Sequence, residues 1–198
     1  MSEPSKDKLS LKYEEELAPF RETIEAVYIK TSSSDVVFRN ILTLPPTILD
    51  STPQSKRRSE DSPEEETIIL SSEEVEEMKE SEKKEYIGKL AISVFTSYQK
   101  CYDNAQNIVN RIAKKYSYEE AETFLYERLG CHIVKLQFDE SVGLIQKEPN
   151  KKGHKNVLLN EEVEISSFIK ETYEPLNIDD LLISEDNTIS DKDIQNDE

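Results

Sequence analysis

The stretch IGKLAISVFTSYQKCYDNAQNIVNRI, residues 87–112, carries an apolar side chain at every third or fourth position. Because an α-helix completes a turn in about 3.6 residues, this spacing predicts a helix with one continuous apolar face. At 1.5 Å per residue, such a helix reaches roughly 40–45 Å. The apolar positions are Ile87, Leu90, Ala91, Val94, Phe95, Tyr98, Cys101, Tyr102, Ala105, Ile108, Val109 and Ile112.

A second helix is predicted directly after the first. Ser117 is followed three residues later by Glu120, which is the pattern of a capping box at a helix start. Gly130 stands where a helix end often needs a left-handed residue. The two helices form a predicted long helical hairpin over about residues 82–130. The apolar positions of the second helix are Ala121, Leu125 and Leu129.

The residues after Gly130 alternate between apolar and polar, as β-strands do. Residues 132–138 form one predicted strand, residues 139–141 a turn, and residues 142–146 a returning strand. Residues 157–159 are a third short strand. We therefore expect a small antiparallel β-hairpin beside the helices.

A C-terminal helix is predicted to begin at Asn160, a good capping residue, and to end at Pro175. The fold class is then α+β, mostly α, with a long helical hairpin, a small β-hairpin and this helix. Its apolar face consists of Ile165, Phe168, Ile169 and Tyr173.

The N-terminal segment, residues 1–44, carries one amphipathic helix, predicted over residues 19–32 with Pro19 at its first position. Residues 36–38 and 41–44 are short, β-leaning runs. They are interpreted either as extended segments on the helical hairpin or as a linear motif for a partner.

The content of acidic and apolar residues predicts three further regions of the chain. Residues 45–81 are predicted as a disordered acidic linker, residues 82–174 as the folded domain, and residues 175–198 as a disordered acidic tail. The linker and the tail have too little apolar surface to offset the entropy of ordering them.

The chain has a formal net charge of −17 over 198 residues. Residues 59–85 carry twelve acids and three bases, and residues 161–198 carry thirteen acids and two bases. This excess argues against a general nucleic-acid binder or an anionic-membrane binder, because both need a positive surface. No apolar run approaches the ~20 residues of a membrane span, and the first residues lack the apolar core of a signal peptide.

The best functional signal is Thr67-Ile68-Ile69-Leu70-Ser71-Ser72-Glu73-Glu74. An aliphatic run followed by serines and acids resembles the SUMO-interacting motif. The resemblance implies that the peptide adds a strand to the partner's sheet and that its acids meet basic residues there. Phosphate on Ser71 or Ser72 strengthens that charge complementarity. The alternative is that the aliphatic residues pack on the domain or begin its long helix.

A second candidate with the same layout lies in the tail, at Leu181, Leu182 and Ile183. Two weak sites on one chain raise the effective concentration of each for a shared partner. The alternatives are a docking peptide for another partner and an apolar patch that folds back on the domain.

Lys56, Arg57 and Arg58 form a short basic run, which is a nuclear import candidate. Neighbouring residues have the sequence context that proline-directed, basic-directed or acid-directed kinases use. The phosphorylation candidates are Thr52, Ser59, Ser62, Ser71 and Ser72.

The basic loop (residues 147–155) is interpreted as an ordinary solvated loop. The alternatives are phosphate contact and retention of one acidic arm of the same chain, a contact that salt weakens. Its basic side chains are Lys147, Lys151, Lys152, His154 and Lys155.

No spacing typical of a metal site, a cofactor cradle or a catalytic group is found. Cys101, Cys131, His132 and His154 lack the paired spacing of zinc ligands, and Cys101 falls on the apolar face. We therefore expect no metal, no cofactor and no enzymatic activity. Six tyrosines crowd the predicted hairpin and are interpreted either as interface or as core residues.

The sequence is therefore interpreted as a nuclear, non-enzymatic adaptor or a subunit of a larger protein complex. Its expected partners are other protein subunits, SUMO or SUMO-modified proteins, and kinases. The cytoplasm is the alternative location. One alternative function is a structural subunit of a chromosome-associated assembly without SUMO binding. The other is a weak nucleic-acid binder that uses the basic loop.

Overall fold

An antiparallel β-sheet of seven strands forms the centre of the parts of the chain that the computed structural model describes, residues 11–41 and 70–182. The strands are β1 (Tyr28–Lys30), β2 (Val36–Ile41), β3 (Ile92–Phe95), β4 (His132–Gln137), β5 (Gly143–Gln146), β6 (His154–Leu159) and β7 (Ile169–Thr172). They lie in the order β1-β5-β6-β3-β2-β4-β7, and every neighbouring pair is antiparallel.

Helices cover one face of this sheet. The α-helices in the described ranges are α1 (Glu14–Leu17), α2 (Arg21–Val27), α3 (Ser72–Glu77), α4 (Glu80–Lys89), α5 (Tyr98–Lys115), α6 (Tyr118–Phe124) and α7 (Ile178–Leu181). Short 3₁₀ turns occupy Ala18–Phe20 and Ile165–Phe168, and a π-helical turn, Leu125–Leu129, continues α6. None of the helices in these ranges has both the length and the apolar character that crossing a bilayer requires.

The predicted long helical hairpin is wrong because β3 interrupts it between α4 and α5. All four residues of β3 are buried, so this strand has no exposed face and shows no polar alternation. A strand of this kind cannot be told from a helical segment by periodicity alone. Ser97 marks the break, since its hydroxyl accepts a hydrogen bond from the Lys100 backbone N–H (3.3 Å) at the start of α5.

The predicted small β-hairpin and the mostly α fold class are wrong as well. The strands expected near residues 132–138, 142–146 and 157–159 exist as β4, β5 and β6. However, β4 pairs with β2 and β7, whereas β5 pairs with β1 and β6. Local alternation identifies a strand but not its partner, and strands that are adjacent in sequence are often not neighbours in the sheet.

The predicted C-terminal helix is also absent from the described residues. The segment folds instead as the 3₁₀ turn Ile165–Phe168 followed by β7. Asn160, expected as its cap, donates its side-chain N–H to the carbonyl oxygen of Ser141 (2.7 Å). Ile165, Phe168 and Ile169 of this segment therefore lie in a turn and a strand rather than on one face of a helix.

The N-terminal segment is part of the same sheet. The helix predicted over residues 19–32 is shorter, because α2 ends at Val27 and the next three residues form β1. The first β-leaning run, residues 36–38, and Ile41 of the second belong to β2, which lies between β3 and β4 near the middle of the sheet. Residues 42–44 lie outside the described residues. Phe38 of β2 pairs with Phe95 of β3.

Parts of the segments predicted as disordered are folded. α3 and the first residues of α4 fall within the predicted linker, residues 45–81, and α7 falls within the predicted tail, residues 175–198. Residues 42–69 and 183–198 lie outside the described ranges.

One face of the sheet is buried against a core to which no α-helix of the described ranges contributes. Side chains from β2 to β6 pack against one another and against residues 163–169, which close this side. The buried members of this first cluster are Val37, Ile41, Ile92, Val94, Val134, Leu136, Phe138, Val142, Ile145, Val157, Leu159 and Ile165.

Two groups of helices cover the opposite face. α5, α6 and α7 pack over Phe95 and Ile133 and form the second cluster. α1 to α4 pack over Tyr28 and Leu158 and form the third cluster. The cationic cavity described below lies where α5, the end of β3 and the start of β6 meet.

Candidate functional site

The aliphatic and acidic segment 67–74 enters the described structure at Leu70. Leu70 is half-buried against the third cluster, and Ile68 and Ile69 lie outside the described residues. Ser71 has an extended backbone and caps α3. Ser71, Ser72, Glu73 and Glu74 are all exposed. The serines and acids of the motif are therefore at the surface, and Leu70 connects them to the core.

Ser71 and Glu74 form a reciprocal capping box. The Glu74 backbone N–H donates to the Ser71 hydroxyl (3.3 Å), and the Ser71 backbone N–H donates to Glu74 Oε2 (2.8 Å). These hydrogen bonds lower the pKa of the Glu74 carboxyl below its usual value, the backbone donor first and the Ser71 hydroxyl second. A phosphate on Ser71 would meet this carboxylate, whereas Ser72 is one residue further along the exposed first turn.

The second candidate is divided between the core and the undescribed tail. Leu181 is fully buried in the second cluster and Leu182 packs partly against it, while Ile183 lies outside the described residues. Asn110 donates its side-chain N–H to the carbonyl oxygen of Leu181 (2.7 Å). This placement corresponds to the interpretation of an apolar patch that folds back on the domain.

The nuclear import candidate, Lys56, Arg57 and Arg58, lies outside the described residues. The same holds for the phosphorylation candidates Thr52, Ser59 and Ser62. These assignments stay predictions.

Two lysines of the basic loop are used inside the fold. Lys147 donates its ammonium N–H groups to the carbonyl oxygens of Glu25 (3.0 Å) and Ala26 (2.8 Å) at the end of α2. A cation at this position complements the helix dipole. Lys155 donates to the carbonyl oxygen of Lys147 (3.0 Å). The cations of the loop are therefore not one continuous patch.

The tip of the basic loop is held against the junction of β3 and α5. Asn150 Oδ1 accepts hydrogen bonds from the backbone N–H groups of Lys152 (2.9 Å) and His154 (3.1 Å). Gly153 has φ +73°, and its carbonyl oxygen accepts from the Thr96 backbone N–H (2.9 Å). A Cβ on Gly153 would lie 2.8 Å from Thr96 Oγ1, so only glycine allows this close approach.

The cationic cavity, about 250 Å³ in volume, lies between this loop tip and α5. It is open to solvent. No carboxylate is among the described residues that form its wall. The lining residues are Phe95, Asn104, Asn107, Ile108, Arg111, Lys152 and His154.

Two strong cations, Arg111 and Lys152, line the cavity. Arg111 and Lys152 have exposed side chains, and within the described part of the chain neither is paired with a carboxylate. Asn107 donates its amide N–H to the carbonyl oxygen of Asp103 (2.6 Å), which fixes the orientation of that amide. As far as the described residues show, the cavity therefore offers N–H donors and positive charge, and no carboxylate lines it.

His154 is fixed at the rear of the cavity. Its Nε2 shares a hydrogen bond with Ser93 Oγ (2.8 Å), and its ring meets Phe95 edge-on at 5.5 Å between centroids. Burial lowers the pKa of the imidazole below its usual value of 6.5. Ser93 is buried and does not line the cavity, so the pair orients His154 rather than presenting a hydroxyl nucleophile.

Sequence reasoning missed this arrangement, although it singled out Lys152 and His154. Ser93 and Phe95 lie on β3, the strand that was predicted as part of a helix. Arg111 is not among the residues that the sequence analysis singled out. The run of basic residues after Gln146 was the only local signal, and it did not show that α5 supplies the opposite wall.

A second surface feature is the aromatic groove, a cavity of about 590 Å³ between the end of α5 and α6. Ile112 and Phe124 line it half-buried, and Tyr116 borders it with 65% of its surface exposed. Glu120 and Glu127 stand on its rim. An aromatic surface with a charged border has the composition of a protein interface.

The cysteines are buried in the second cluster. Cys101 donates its S–H to Asn40 Oδ1 (3.0 Å), and burial raises the pKa of its thiol to about 12. Burial also raises the pKa of Cys131. Cys101 is therefore a core residue, as its place on the apolar face predicted. Within residues 11–41 and 70–182, no three His, Cys, Asp or Glu side chains gather as metal ligands would.

Comparison of the chain with protein-family models, with curated proteins and with solved structures finds no match.

Proposed function

We propose that this chain is a nuclear, non-enzymatic adaptor, a subunit of a larger protein complex, that presents residues 67–74 to SUMO or to a SUMO-modified protein. The observation that carries the proposal is the surface position of Ser71 to Glu74, directly after the aliphatic residues. If residues 67–70 add a strand to the edge of the partner's sheet, the acids that follow them lie beside that edge.

The contact of Leu70 with the third cluster has to break before Leu70 can bind a partner, and breaking it costs free energy. Leu70 is half-buried, and α3 is anchored independently by Val75, which is buried in the same cluster. Strand addition that includes Leu70 requires this side chain to leave its contact while α3 stays in place. We therefore expect the isolated peptide to bind more tightly than the full chain.

The test is a titration of ¹⁵N-labelled SUMO with a peptide covering residues 62–80 and, separately, with the full chain. We expect the same residues of SUMO to shift in both titrations, with dissociation constants between about 1 µM and 1 mM. No shift at near-millimolar peptide excludes SUMO as the partner.

The matched variants are two double substitutions in the full chain. Ile68→Ala with Ile69→Ala removes two aliphatic side chains from the motif, and we expect it to abolish the shifts of SUMO. Leu182→Ala with Ile183→Ala makes the same change in the tail and should leave binding intact. Equal losses would show that the contact is not specific to residues 67–74.

A second candidate function, a complex subunit without SUMO binding, is supported by the aromatic groove. Its exposed Tyr116 and half-buried Phe124 would form the contact with another subunit. The test compares stoichiometric partners purified from the native host with the wild-type chain and with Tyr116→Ser. Retention of the same partners by the variant would exclude the groove as the assembly surface.

A further inference from the structure

The cationic cavity contrasts with the rest of this acidic protein. Arg111 from α5 and Lys152 from the loop tip face the same space in a chain of net charge −17. Two cations that line one cavity, with no carboxylate among its described lining residues, favour the binding of an anion there. Their joint presence at the wall of a cavity therefore points to an anionic ligand.

We propose that the cationic cavity binds a phosphate monoester carried by a partner polypeptide, that is, a phosphoserine or phosphothreonine side chain. Such a group carries about −1.5 to −2 charges and three strong acceptor oxygens. The Arg111 guanidinium pairs with two of these oxygens, since its N–H groups form a planar fork. Lys152 adds a second positive charge.

The polar groups that remain in the wall fit the same ligand. The side-chain amides of Asn104 and Asn107 border the space and supply N–H donors. A carboxylate has one charge and two oxygens, so it would leave part of this donor set unused. The volume of about 250 Å³ has room for a phosphate and for the carbon atoms that link it to a peptide.

The site is held in place before the ligand arrives. Asn150 and Gly153 fix the backbone at the loop tip, and Ser93 and Phe95 fix the His154 ring. α5 is an 18-residue helix whose inner face is buried at Cys101, Ala105 and Val109. Binding therefore orders few side chains, and a prearranged site loses less affinity to ordering.

A single phosphate fits this surface better than a nucleic acid does. A polynucleotide gains affinity by contacting several phosphates with several cations. Lys147 and Lys155 are engaged elsewhere by backbone carbonyl oxygens. Among the described residues, the strong cations that line the cavity are therefore Arg111 and Lys152. The net charge of −17 repels a polyanion more than a peptide with one phosphate.

The experiment titrates the ¹⁵N-labelled full chain with the peptide acetyl-Gly-Ala-phosphoserine-Ala-Gly-amide. We expect saturable shifts of the side-chain N–H₂ signals of Asn104 and Asn107, and none with the unphosphorylated peptide. Inorganic phosphate and a single-stranded oligonucleotide are titrated in parallel to identify the source of the phosphate.

Matched double variants test the two cations. Arg111→Gln with Lys152→Gln removes both cations that line the cavity, and we expect the affinity to fall about tenfold or more, since two charge-assisted contacts are lost. Lys114→Gln with Lys151→Gln changes the net charge equally at neighbouring exposed positions outside the cavity. We expect it to change affinity less than about twofold. The ¹H–¹⁵N spectra of both variants confirm that they fold.

Three results would overturn the proposal. The first is the absence of saturable shifts with the phosphopeptide, and the second is an equal loss of affinity in both double variants. The third is tighter binding of the oligonucleotide with a steep salt dependence, which would assign the cavity to nucleic acid. If inorganic phosphate and the phosphopeptide each bind, the proposal is supported. If inorganic phosphate binds and the phosphopeptide does not, the ligand is not a phosphate carried by a polypeptide.

Discussion

Gly130 lies where the helical layer returns to the sheet, and its φ angle is +97°. A Cβ at this position would lie 2.3 Å from the carbonyl carbon of Ile41 in β2. The Gly130 carbonyl oxygen accepts a hydrogen bond from Asn40 Nδ2 (3.0 Å), and Asn40 Oδ1 accepts from the Cys101 S–H (3.0 Å). One residue without a side chain thus allows β2, α5 and the start of β4 to meet.

We expect Gly130→Ala to destabilise the protein by about 2 kcal/mol or more, because the substitution adds both a strained backbone angle and a backbone clash. Gly88→Ala is the matched control. Gly88 lies in α4, and the nearest atom to its added Cβ, at 3.1 Å, belongs to the side chain of Asn156. Urea unfolding measures both variants, and equal losses of stability would contradict the explanation.

We expect stability at mildly acidic pH to depend on His154, which is largely buried. Because burial lowers the pKa of His154 in the folded state, the unfolded chain binds its proton more readily. The contribution of neutral His154 is complete above the unfolded pKa of about 6.5 and is lost as pH falls below it.

We expect stability to decrease from about pH 7 to about pH 5.5 by at most about 1.4 kcal/mol per pH unit, the limit for one proton. His154→Gln should flatten this part of the profile, measured as the urea midpoint at each pH. Glu74 and Asp139, whose pKa values are lowered by hydrogen bonds from Ser71 and Ser141, lose their contributions only at lower pH. An unchanged slope in the variant would assign the proton to another group.

Single residues also show what local sequence chemistry can predict. The cap at Ser117, which accepts from the Glu120 N–H (3.1 Å), and the positive φ of Gly130 are confirmed, because each depends on a few neighbouring residues. The burial of Arg39 and the contact of Ser93 with His154 were not predictable. Their partners are 54 and 61 residues away in the chain.

At the scale of elements, β3 shows the limit of periodicity. Three of its four residues are apolar and all four are buried. The pattern of apolar residues therefore fits a helix as well as a strand that is buried on both faces. The bounds of β4 and β5 were predicted to within one residue, since their patterns alternate or are bounded by turn residues. β6, in contrast, begins at His154, three residues before the predicted strand. The cavity wall was missed for the same reason as the fold, because it depends on β3 lying between β6 and β2.

α7 is a short helix that is held by tertiary contacts. Tyr118 donates its hydroxyl to Asp179 Oδ1 (2.9 Å), Tyr102 donates to the Asp180 carbonyl oxygen (3.2 Å), and Leu181 is fully buried. The hydrogen bond to Asp179 is the main reason that the pKa of Tyr118 is raised to about 12. These contacts fasten the beginning of the tail to α5 and α6.

We expect Leu181→Ala to destabilise the protein by about 2–5 kcal/mol, because the side chain is fully buried and its removal leaves a cavity. Asp180→Ala, at the preceding exposed position, is the control and should change stability by less than about 0.5 kcal/mol. Thermal unfolding followed by circular dichroism measures both. A small effect of Leu181→Ala would mean that the tail is free to act as the second SUMO candidate.

For the molecule as a whole, the N-terminal segment and the rest of the chain fold as one unit. β2 pairs with β4 from Val36 to Ile41 and contacts β3 on its other side. α2 and β1 belong to the same third cluster as α3 and α4. Neither part can bury its apolar surface without the other, so they depend on one another for stability.

We expect the two parts to stay associated after the linker is cut. A protease recognition sequence inserted between residues 45 and 66 allows cleavage of the folded chain. The two fragments should elute together from a size-exclusion column, because the pairing of β2 and the third cluster persist without the peptide bond. Cleavage followed by denaturant is the control, and separation of the fragments without denaturant would contradict a shared sheet.

The position of β2 also bears on synthesis of the chain. Its last residue is Ile41, but its partner β4 ends at Gln137. At about 5–20 residues per second, the ribosome needs roughly 5–20 s to make the intervening residues. β3, which pairs with β2 on its other side, is complete at Phe95 and is therefore made earlier. Until β4 follows, the edge of β2 that pairs with β4 has no native partner, so the nascent chain is a natural client for a chaperone that shields apolar strands.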